Sequence, residues 1–215
     1  MIYFAGTSHA AVHLREGARS CGLAIAETAD AAELIFISED TKTDDAGNRD
    51  VAPIREMVDR LAFLGKPLVL TSQVPPGFTR SLRLLNIHHQ AETLRIKDAE
   101  HRALHPDYIA VGGDADISPA YAQYLFAFQC PVIRMSWEDA EFSKIAVNMM
   151  LAAQVDYTNR LSAAAAKVGA DWNQVKRALH ADSRIGHDAY LTPGRWQDSR
   201  HLLRDHVTLE AISTS

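Results

Sequence analysis

The first 135 residues contain six short apolar runs in which apolar and polar positions hardly alternate. Strands that are covered on both faces have this continuous hydrophobicity, as in a parallel sheet with helices on either side. Amphipathic stretches separate several of the runs, most clearly at 51–64 and 118–128. The pattern predicts an α/β fold with a Rossmann-like, doubly wound and mainly parallel sheet. The predicted strands are residues 2–5, 23–26, 34–37, 67–70, 108–111 and 131–133.

Beyond residue 135 the pattern becomes that of a long helix. Ser136 followed by Asp139 is typical of a helix start, and Gly169 is typical of a helix end. The intervening stretch predicts a helix of about 30 residues, which is roughly 45–50 Å long. Its apolar residues occur on more than one face, so we expect the 136–169 helix to pack against a second copy of the chain in a symmetric homodimer. A second helix is predicted from Asp171 to about Ala181.

Composition narrows the partners and the compartment. The 215 residues include 22 Lys and Arg against 27 Asp and Glu, a net charge of −5 that argues against nucleic acid or an anionic membrane as the main partner. Cys21 and Cys130 lie far apart, which excludes a disulfide framework or a cysteine-rich zinc site and favours the reducing cytoplasm. The chain has no signal-peptide pattern and no apolar run of about 18 residues. We therefore expect a cytoplasmic protein. The pairs His9 and His13 and His88 and His89 come without a third ligand at metal spacing, so we expect no metal site.

The turn after the first predicted strand resembles a dinucleotide-binding fingerprint. Gly6 occupies its first glycine position, Ala11 its third, and Ser8 replaces the second glycine, where a side chain narrows the approach of a pyrophosphate. Glu27 follows 21 residues after Gly6, where an acid accepts hydrogen bonds from a ribose 2′-hydroxyl. This pattern predicts NAD in preference to NADP. The alternative is a strand, turn and helix that bind nothing.

Glu141, Lys144 and Asn148 have the spacing i, i+3 and i+7, which places them on one helical face. A lysine and an asparagine four residues apart can direct donors at one oxygen, as hydride transfer from an alcohol requires. The alternative is a solvated face that carries an ion pair between Glu141 and Lys144.

Further motifs follow in order along almost the whole chain. They are 34–43 with 47–50, Ser72-Gln73-Val74-Pro75-Pro76-Gly77, Glu92-Thr93-Leu94-Arg95, 105–113, Ala140-Glu141-Phe142-Ser143-Lys144 with Asn148, Asn159, Gly169-Ala170-Asp171 and Arg184-Ile185-Gly186. Segment by segment, this series resembles the UDP-glucose/GDP-mannose dehydrogenase family. The resemblance implies an NAD-dependent oxidoreductase that acts on a sugar nucleotide in polysaccharide biosynthesis. It also implies a shortened Rossmann-like dinucleotide-binding domain over 1–135 and a helical dimerisation domain with active-site residues over 136–215.

The same resemblance implies roles for individual residues. Lys144 and Asn148 hold the reacting oxygen, Asp205 takes part in proton transfer, and Glu92 positions a water molecule. The implied substrate-binding residues are Arg184, Gly186 and His201. The implied cofactor-binding residues are Gly6, Ser8, His9, Glu27, Thr41 and Ser72.

The chain also departs from the family. We expect it to be shortened between the second predicted strand and the one at 34–37, and to lack the family's C-terminal domain. The nucleophile loop GFGGSCFxKD corresponds to residues 195–205, where His201 replaces the cysteine, Arg204 replaces the lysine and only Asp205 is retained. Because histidine does not replace a thiolate in thioester chemistry, we expect oxidation to stop after two electrons.

Two other classes remain open. A non-catalytic, dimeric binding or regulatory homologue is favoured by the loss of the cysteine and the loop glycines. A β-hydroxyacid dehydrogenase also pairs a helical lysine with a nearby asparagine, although Val74-Pro75-Pro76-Gly77 and Arg184-Ile185-Gly186 argue against it.

Overall fold

The computed structural model describes residues 1–214, with the backbone alone at position 96. The strands are β1 (Ile2–Ala5), β2 (Leu34–Ile37), β3 (Lys42–Thr43), β4 (Arg49–Asp50), β5 (Leu68–Leu70), β6 (Ile87–Gln90), β7 (Ile109–Gly112) and β8 (Val132–Met135). The helices are α1 (His9–Ser20), α2 (Ala52–Ala62), α3 (Phe78–Ser81), α4 (Ala99–Leu104), α5 (Pro119–Ala127), α6 (Trp137–Lys167), α7 (Trp172–Ala181) and α8 (Arg200–Ser213). Short 3-10 turns cover Ile96–Asp98 and Trp196–Asp198.

Six strands form one sheet in the order β1-β2-β5-β6-β7-β8, and β3 pairs with β4 in a separate ribbon. All neighbours in the large sheet are parallel except β6 and β7, which are antiparallel. The predicted α/β fold with a mainly parallel sheet followed by a long helix is therefore confirmed.

The chain divides into two compact units, residues 1–42 with 49–144 and residues 43–48 with 145–215. The first unit contains the large sheet, and the second contains most of α6 together with α7 and α8. Residues 136–144, which we expected in the second domain, belong to the first unit.

The core of the first unit explains the continuous apolar runs. All four residues of β2 are fully buried. Leu34 and Phe36 pack into one apolar cluster, whereas Ile35 and Ile37 pack into another, because successive side chains of a strand point to opposite faces. Burial of such a side chain contributes about 1.5–3 kcal/mol, so both faces of the sheet stabilise the fold.

The strand predicted at 23–26 is wrong. Only an isolated parallel bridge joins Ile25 to Ile2, on the side of β1 that does not pair with β2. The ladder stops after this bridge, and further along the chain the carbonyl groups of Ala29, Asp30 and Ala32 accept hydrogen bonds from the ammonium group of Lys66. The chain thus runs first along one side of β1, at Ile25, and then along the other side as β2. The carboxyl end of β1 is therefore the point at which a doubly wound sheet binds its ligands.

Strand β6 was not predicted, because its sequence Ile87-His88-His89-Gln90 is polar. All four residues are nevertheless buried in the sheet. Tyr121 donates a hydrogen bond to the side-chain oxygen of Gln90 at 3.0 Å, and burial lowers the pKa of His89 to about 3. Burial therefore keeps His89 uncharged, which is how a polar strand is tolerated in this core.

The two helices that follow the sheet agree with the prediction. At the start of α6, Asp139 donates its amide to Ser136 Oγ at 3.1 Å, and Ser136 donates its amide to the Asp139 carboxylate at 3.2 Å. This reciprocal capping starts a helix of 31 residues. Asp171 caps α7 in a similar way through the amide of Asn173. No helix within residues 1–214 has both the length and the apolar content that a membrane span requires.

In the second unit, side-chain hydrogen bonds hold the segment after α7 against α6. Asn159 exchanges two hydrogen bonds with the backbone of Gly194, at 2.8 and 2.9 Å. Trp196 Nε1 donates to Asp156 at 2.9 Å. This segment leads directly into α8, so its position determines where α8 begins.

Candidate active site

Gly6 forms the turn between β1 and α1. Its φ is +106°, and a Cβ atom there would lie 2.0 Å from the backbone oxygen of Ser38, so only glycine fits. The buried Ser8 side chain caps α1 by accepting the amide of Ala11 at 3.0 Å and donates to Ser38 O at 2.9 Å. The Ser8 side chain is therefore held inside the protein. Its hydroxyl serves as the helix cap.

A carboxylate meets this turn from the end of β2. The Thr7 amide donates a hydrogen bond to Glu39 Oε2 at 3.1 Å, and the amide of Glu39 itself donates to Ser72 Oγ at 2.8 Å. We did not predict Glu39 as a site residue, since nothing in the local sequence indicates which turn its side chain reaches. Its position became evident only from the fold.

The other predicted cofactor residues divide into two groups. Thr41 and Ser72 are buried at the carboxyl edge of the sheet, where the Thr41 hydroxyl donates to Gln73 O at 2.6 Å. His9 and Glu27 are exposed, and the His9 ring lies 3.1 Å from the His13 ring, measured between the Nε2 atoms. In the described part of the chain, residues 1–214, no three His, Cys, Asp or Glu side chains are grouped to hold a metal ion.

Glu141 caps a second glycine turn and does not form the ion pair with Lys144 that was considered as the alternative. Its carboxylate accepts the amides of Gly77 at 2.6 Å and Thr79 at 2.7 Å, at the start of α3. The side chain is only 2% exposed, and this burial raises the pKa of Glu141 although the two amides act in the opposite direction. Glu141 therefore holds the Val74-Pro75-Pro76-Gly77 segment against α6 and takes no part in a solvated ion pair.

Lys144 lies beside a different carboxylate. Its Nζ atom is 3.9 Å from Glu92 Oε2, and both side chains are largely shielded from solvent. Gln73 donates to the same Glu92 oxygen at 2.7 Å, and the amide of Leu94 donates to the other oxygen. The structure thus brings together two of the four predicted catalytic residues, Glu92 and Lys144, within the first unit.

The other two predicted catalytic residues meet in the second unit. Asn148 Nδ2 donates to Asp205 Oδ2 at 2.5 Å, and the guanidinium of Arg204 lies 3.3 Å from Asp205 Oδ1. All three side chains are buried. The carboxylate fixes the orientation of the Asn148 amide, and an amide nitrogen carries two hydrogens, so one donor of Asn148 is left after this bond.

His201 lies on the first turn of α8, where we expected a loop. The Ser199 hydroxyl caps this helix by accepting the amide of Leu202, and Asp198 and Ser199 stand where the family has glycines. Without glycines the chain becomes helical at Arg200, and His201 is exposed to solvent. A loop that wraps around a reacting group is therefore absent from residues 195–205.

The predicted substrate residues Arg184 and Gly186 lie in the exposed segment after α7. The guanidinium of Arg184 is paired with Asp182 through two hydrogen bonds, at 3.0 and 2.7 Å, and 86% of its side chain is accessible. The exposed guanidinium has no buried surroundings that would restrict its choice of ligand.

Comparison with known proteins shows which family one segment of the chain resembles. Residues 138–212 match the model of the central domain of the UDP-glucose/GDP-mannose dehydrogenase family. This segment of the chain is similar to that central domain. The chain is 29% identical to the UDP-glucose 6-dehydrogenase YwqF of Bacillus subtilis over 72% of its length, and 27% identical to the putative UDP-glucose 6-dehydrogenase YtcA of the same organism over 80%.

The chain spans only part of these relatives, 39% of YwqF and 44% of YtcA. A UDP-glucose dehydrogenase from the archaeon Pyrobaculum islandicum has the same fold, with a TM-score of 0.75 and 21% identity. That alignment covers 99% of this chain and 64% of the archaeal one. The comparison therefore extends to all described elements, from β1 to α8.

Proposed function

We propose that this chain is an NAD-dependent oxidoreductase that removes two electrons from an alcohol of a sugar nucleotide or a related polar molecule. The observation that carries the proposal is the buried contact between Asn148 and Asp205, which lies inside the segment that matches the family. Burying an amide beside a carboxylate costs free energy unless the groups are paired, and a scaffold alone does not need such a pair.

The Gly6 turn fits a dinucleotide in part. In favour are the position at the carboxyl end of β1, the lack of a side chain at Gly6 and the exposed carboxylate of Glu27, which suits a free ribose 2′-hydroxyl and therefore NAD. Against it is Glu39, whose carboxylate already accepts the Thr7 amide. NAD held at this turn would supply the acceptor for the hydride of the carbinol carbon.

The residues of the chain supply the rest of the chemistry. Lys144 and Asn148 are four residues apart on α6, so their side chains follow one helical face. We assign to both the donation of hydrogen bonds to the substrate oxygen as it gains charge. The ammonium group has donors besides the one that faces Glu92, and Asn148 keeps one amide hydrogen. Asp205 receives the proton that the alcohol loses.

The two-electron limit follows from the start of α8. Oxidation to an acid through a thioester needs a thiolate, and the corresponding residue here is an exposed histidine on a capped helix. The expected product is a carbonyl compound. Two NADH molecules per substrate together with a carboxylate product would contradict this limit.

The test compares two lysines of the same helix. Lys144→Ala removes a donor to the reacting oxygen and should lower turnover by about 10²–10³-fold while leaving NAD affinity unchanged. Lys167→Ala removes an exposed lysine from the last turn of α6 and should leave turnover unchanged. NADH absorbance is followed with UDP-glucose, other UDP-sugars and GDP-mannose as substrates. Full activity of Lys144→Ala would refute the site assignment.

A second candidate is a non-catalytic binding homologue, favoured by the Glu39 carboxylate at the Gly6 turn. It predicts calorimetric binding of a nucleotide sugar without NADH formation by the wild-type chain. The same binding with measurable NADH formation excludes it.

We also propose a homodimer through α6. Within the second unit, four large apolar residues of α6 are exposed: Val147, Met150, Tyr157 and Leu161. Their successive spacings of three, seven and four residues place them in a stripe on one side of the helix. A second copy of the stripe would shield this surface in a twofold contact. Light scattering at micromolar concentration should give twice the mass of the chain, and a monomeric mass would contradict the proposal.

A further inference from the structure

The Gly6 turn combines features that attract an anion. The turn precedes α1, a helix of 12 residues, and the amide groups at a helix start carry partial positive charge. Ser8 satisfies only the amide of Ala11, and the Thr7 amide donates outside the helix. In a dinucleotide-binding fold, the pyrophosphate occupies this position.

Here the anion comes from the protein. Glu39 Oε2 accepts the Thr7 amide at 3.1 Å and lies 3.3 Å from the position that a Gly6 Cβ atom would occupy. The Glu39 backbone is anchored through Ser72 Oγ, and its other carboxylate oxygen accepts the amide of Asp40 at 3.2 Å. The carboxylate therefore stands in the place of a phosphate oxygen.

The hydrogen bond between Thr7 and Glu39 can break without leaving either group unsolvated. Thr7 is exposed and Glu39 is only half-buried, so water can solvate both groups once they separate. Because the bond is exposed, breaking it exchanges it for hydrogen bonds to water, and its net contribution is small. A pyrophosphate at the same turn has to displace the carboxylate or lie beside it, and like charges at short range repel.

We propose that Glu39 is a specificity-determining residue that competes with the pyrophosphate of a dinucleotide for the Gly6 turn. This inference rests on the proposed cofactor site, where the Glu39 carboxylate lowers the affinity for a charged pyrophosphate. Glu39→Gln keeps the size of the side chain and removes its charge. The variant should therefore bind anions at the turn at least about tenfold more tightly than the wild type, which corresponds to about 1.4 kcal/mol.

The matched control is Asp40→Asn. It removes the same charge from the next residue, which is exposed and contacts Glu39 through its backbone amide. Affinity for inorganic pyrophosphate is measured by titration while the Thr7 amide resonance is followed by NMR. A gain in Glu39→Gln that is at least threefold larger than the gain in Asp40→Asn supports the proposal. Equal gains, or no gain, overturn it.

Two more ligands separate this inference from the proposed function. Adenosine carries no phosphate, so its affinity should be the same in the wild type and in Glu39→Gln. If Glu39→Gln gains pyrophosphate affinity but neither protein binds NAD, the competition stands and the proposed cofactor is wrong. If the wild type binds NAD and Glu39→Gln binds both NAD and pyrophosphate no more tightly, the competition is wrong and the proposed cofactor stands.

Discussion

Gly6 and Gly77 both have positive φ, and at each of these two turns of the first unit a carboxylate from elsewhere in the chain accepts a backbone amide. At Gly77 the carboxylate is Glu141, which is almost fully buried and accepts two amides at 2.6 and 2.7 Å. At Gly6 it is Glu39, which is half-buried and accepts one amide of the turn at 3.1 Å. The same contact between a carboxylate and the backbone therefore occurs once away from solvent and once within reach of solvent.

The difference lies in what replaces the carboxylate when it leaves. Without Glu141, no water molecule is at hand to replace the carboxylate at a buried amide. The hydrogen bond is therefore a fixed part of the fold. Loss of the Glu39 contact leaves the Thr7 amide to water or to a ligand. Burial and the number of accepted amides thus separate a structural cap from a contact that a ligand can displace.

The largest difference in stability between the two turns is expected when their glycines are substituted. In Gly6→Ala the new Cβ atom meets the backbone of Ser38 at 2.0 Å, and in Gly77→Ala it meets nothing within 4 Å. Backbone strain alone should cost Gly77→Ala about 1–2 kcal/mol. The added clash should bring the cost of Gly6→Ala to about 3–5 kcal/mol.

Urea unfolding of both variants and the wild type, monitored by circular dichroism, measures these costs. The difference depends on the fixed position of Ser38 O beside the turn. Equal losses of stability in Gly6→Ala and Gly77→Ala would show that the close approach of β1 and β2 at Gly6 is not rigid.

The next largest effect is expected for Glu141→Ala. The substitution leaves the amides of Gly77 and Thr79 without their acceptor, which should lower the free energy of unfolding by roughly 2–3 kcal/mol. This loss of free energy is smaller than the full cost of leaving two amides without an acceptor, because the buried carboxylate is itself costly. Burial raises the pKa of Glu141 and so opposes its charged form. Glu138→Ala, which breaks an exposed ion pair with Arg80 at the same helix start, is the comparison and should lower the free energy of unfolding less than Glu141→Ala does.

The sequence predicts features that depend on neighbouring residues. Continuous apolar runs indicate β1, β2 and β5 because both faces of these strands are covered, and the Ser136–Asp139 pair indicates the start of α6. Strand β6 is missed because His88 and His89 read as polar and only the tertiary core makes them buried. The strand expected at 23–26 fails because only Ile25 pairs with β1, and a local apolar run does not reveal how far such pairing extends.

The candidate site follows the same rule. Helical spacing places Glu141, Lys144 and Asn148 on one face, but their partners are far away in the sequence. Glu141 binds amides 62 and 64 residues earlier, and Asn148 binds a carboxylate 57 residues later. No local pattern encodes such pairings, because they depend on how the strands and helices are connected. Glu39 was missed for the same reason.

The smallest effect is expected for Glu39→Ala, and it decides whether the Gly6 turn is a fixed cap or a displaceable contact. Its carboxylate accepts one amide of the turn, that of an exposed residue, so water replaces it at little cost. The free energy of unfolding should change by less than about 0.5 kcal/mol, as at other surface positions. The measurement is urea unfolding beside Glu141→Ala under identical conditions. A loss of about 2 kcal/mol or more would make Glu39 a structural cap like Glu141, and a ligand could then displace it only by destabilising the fold.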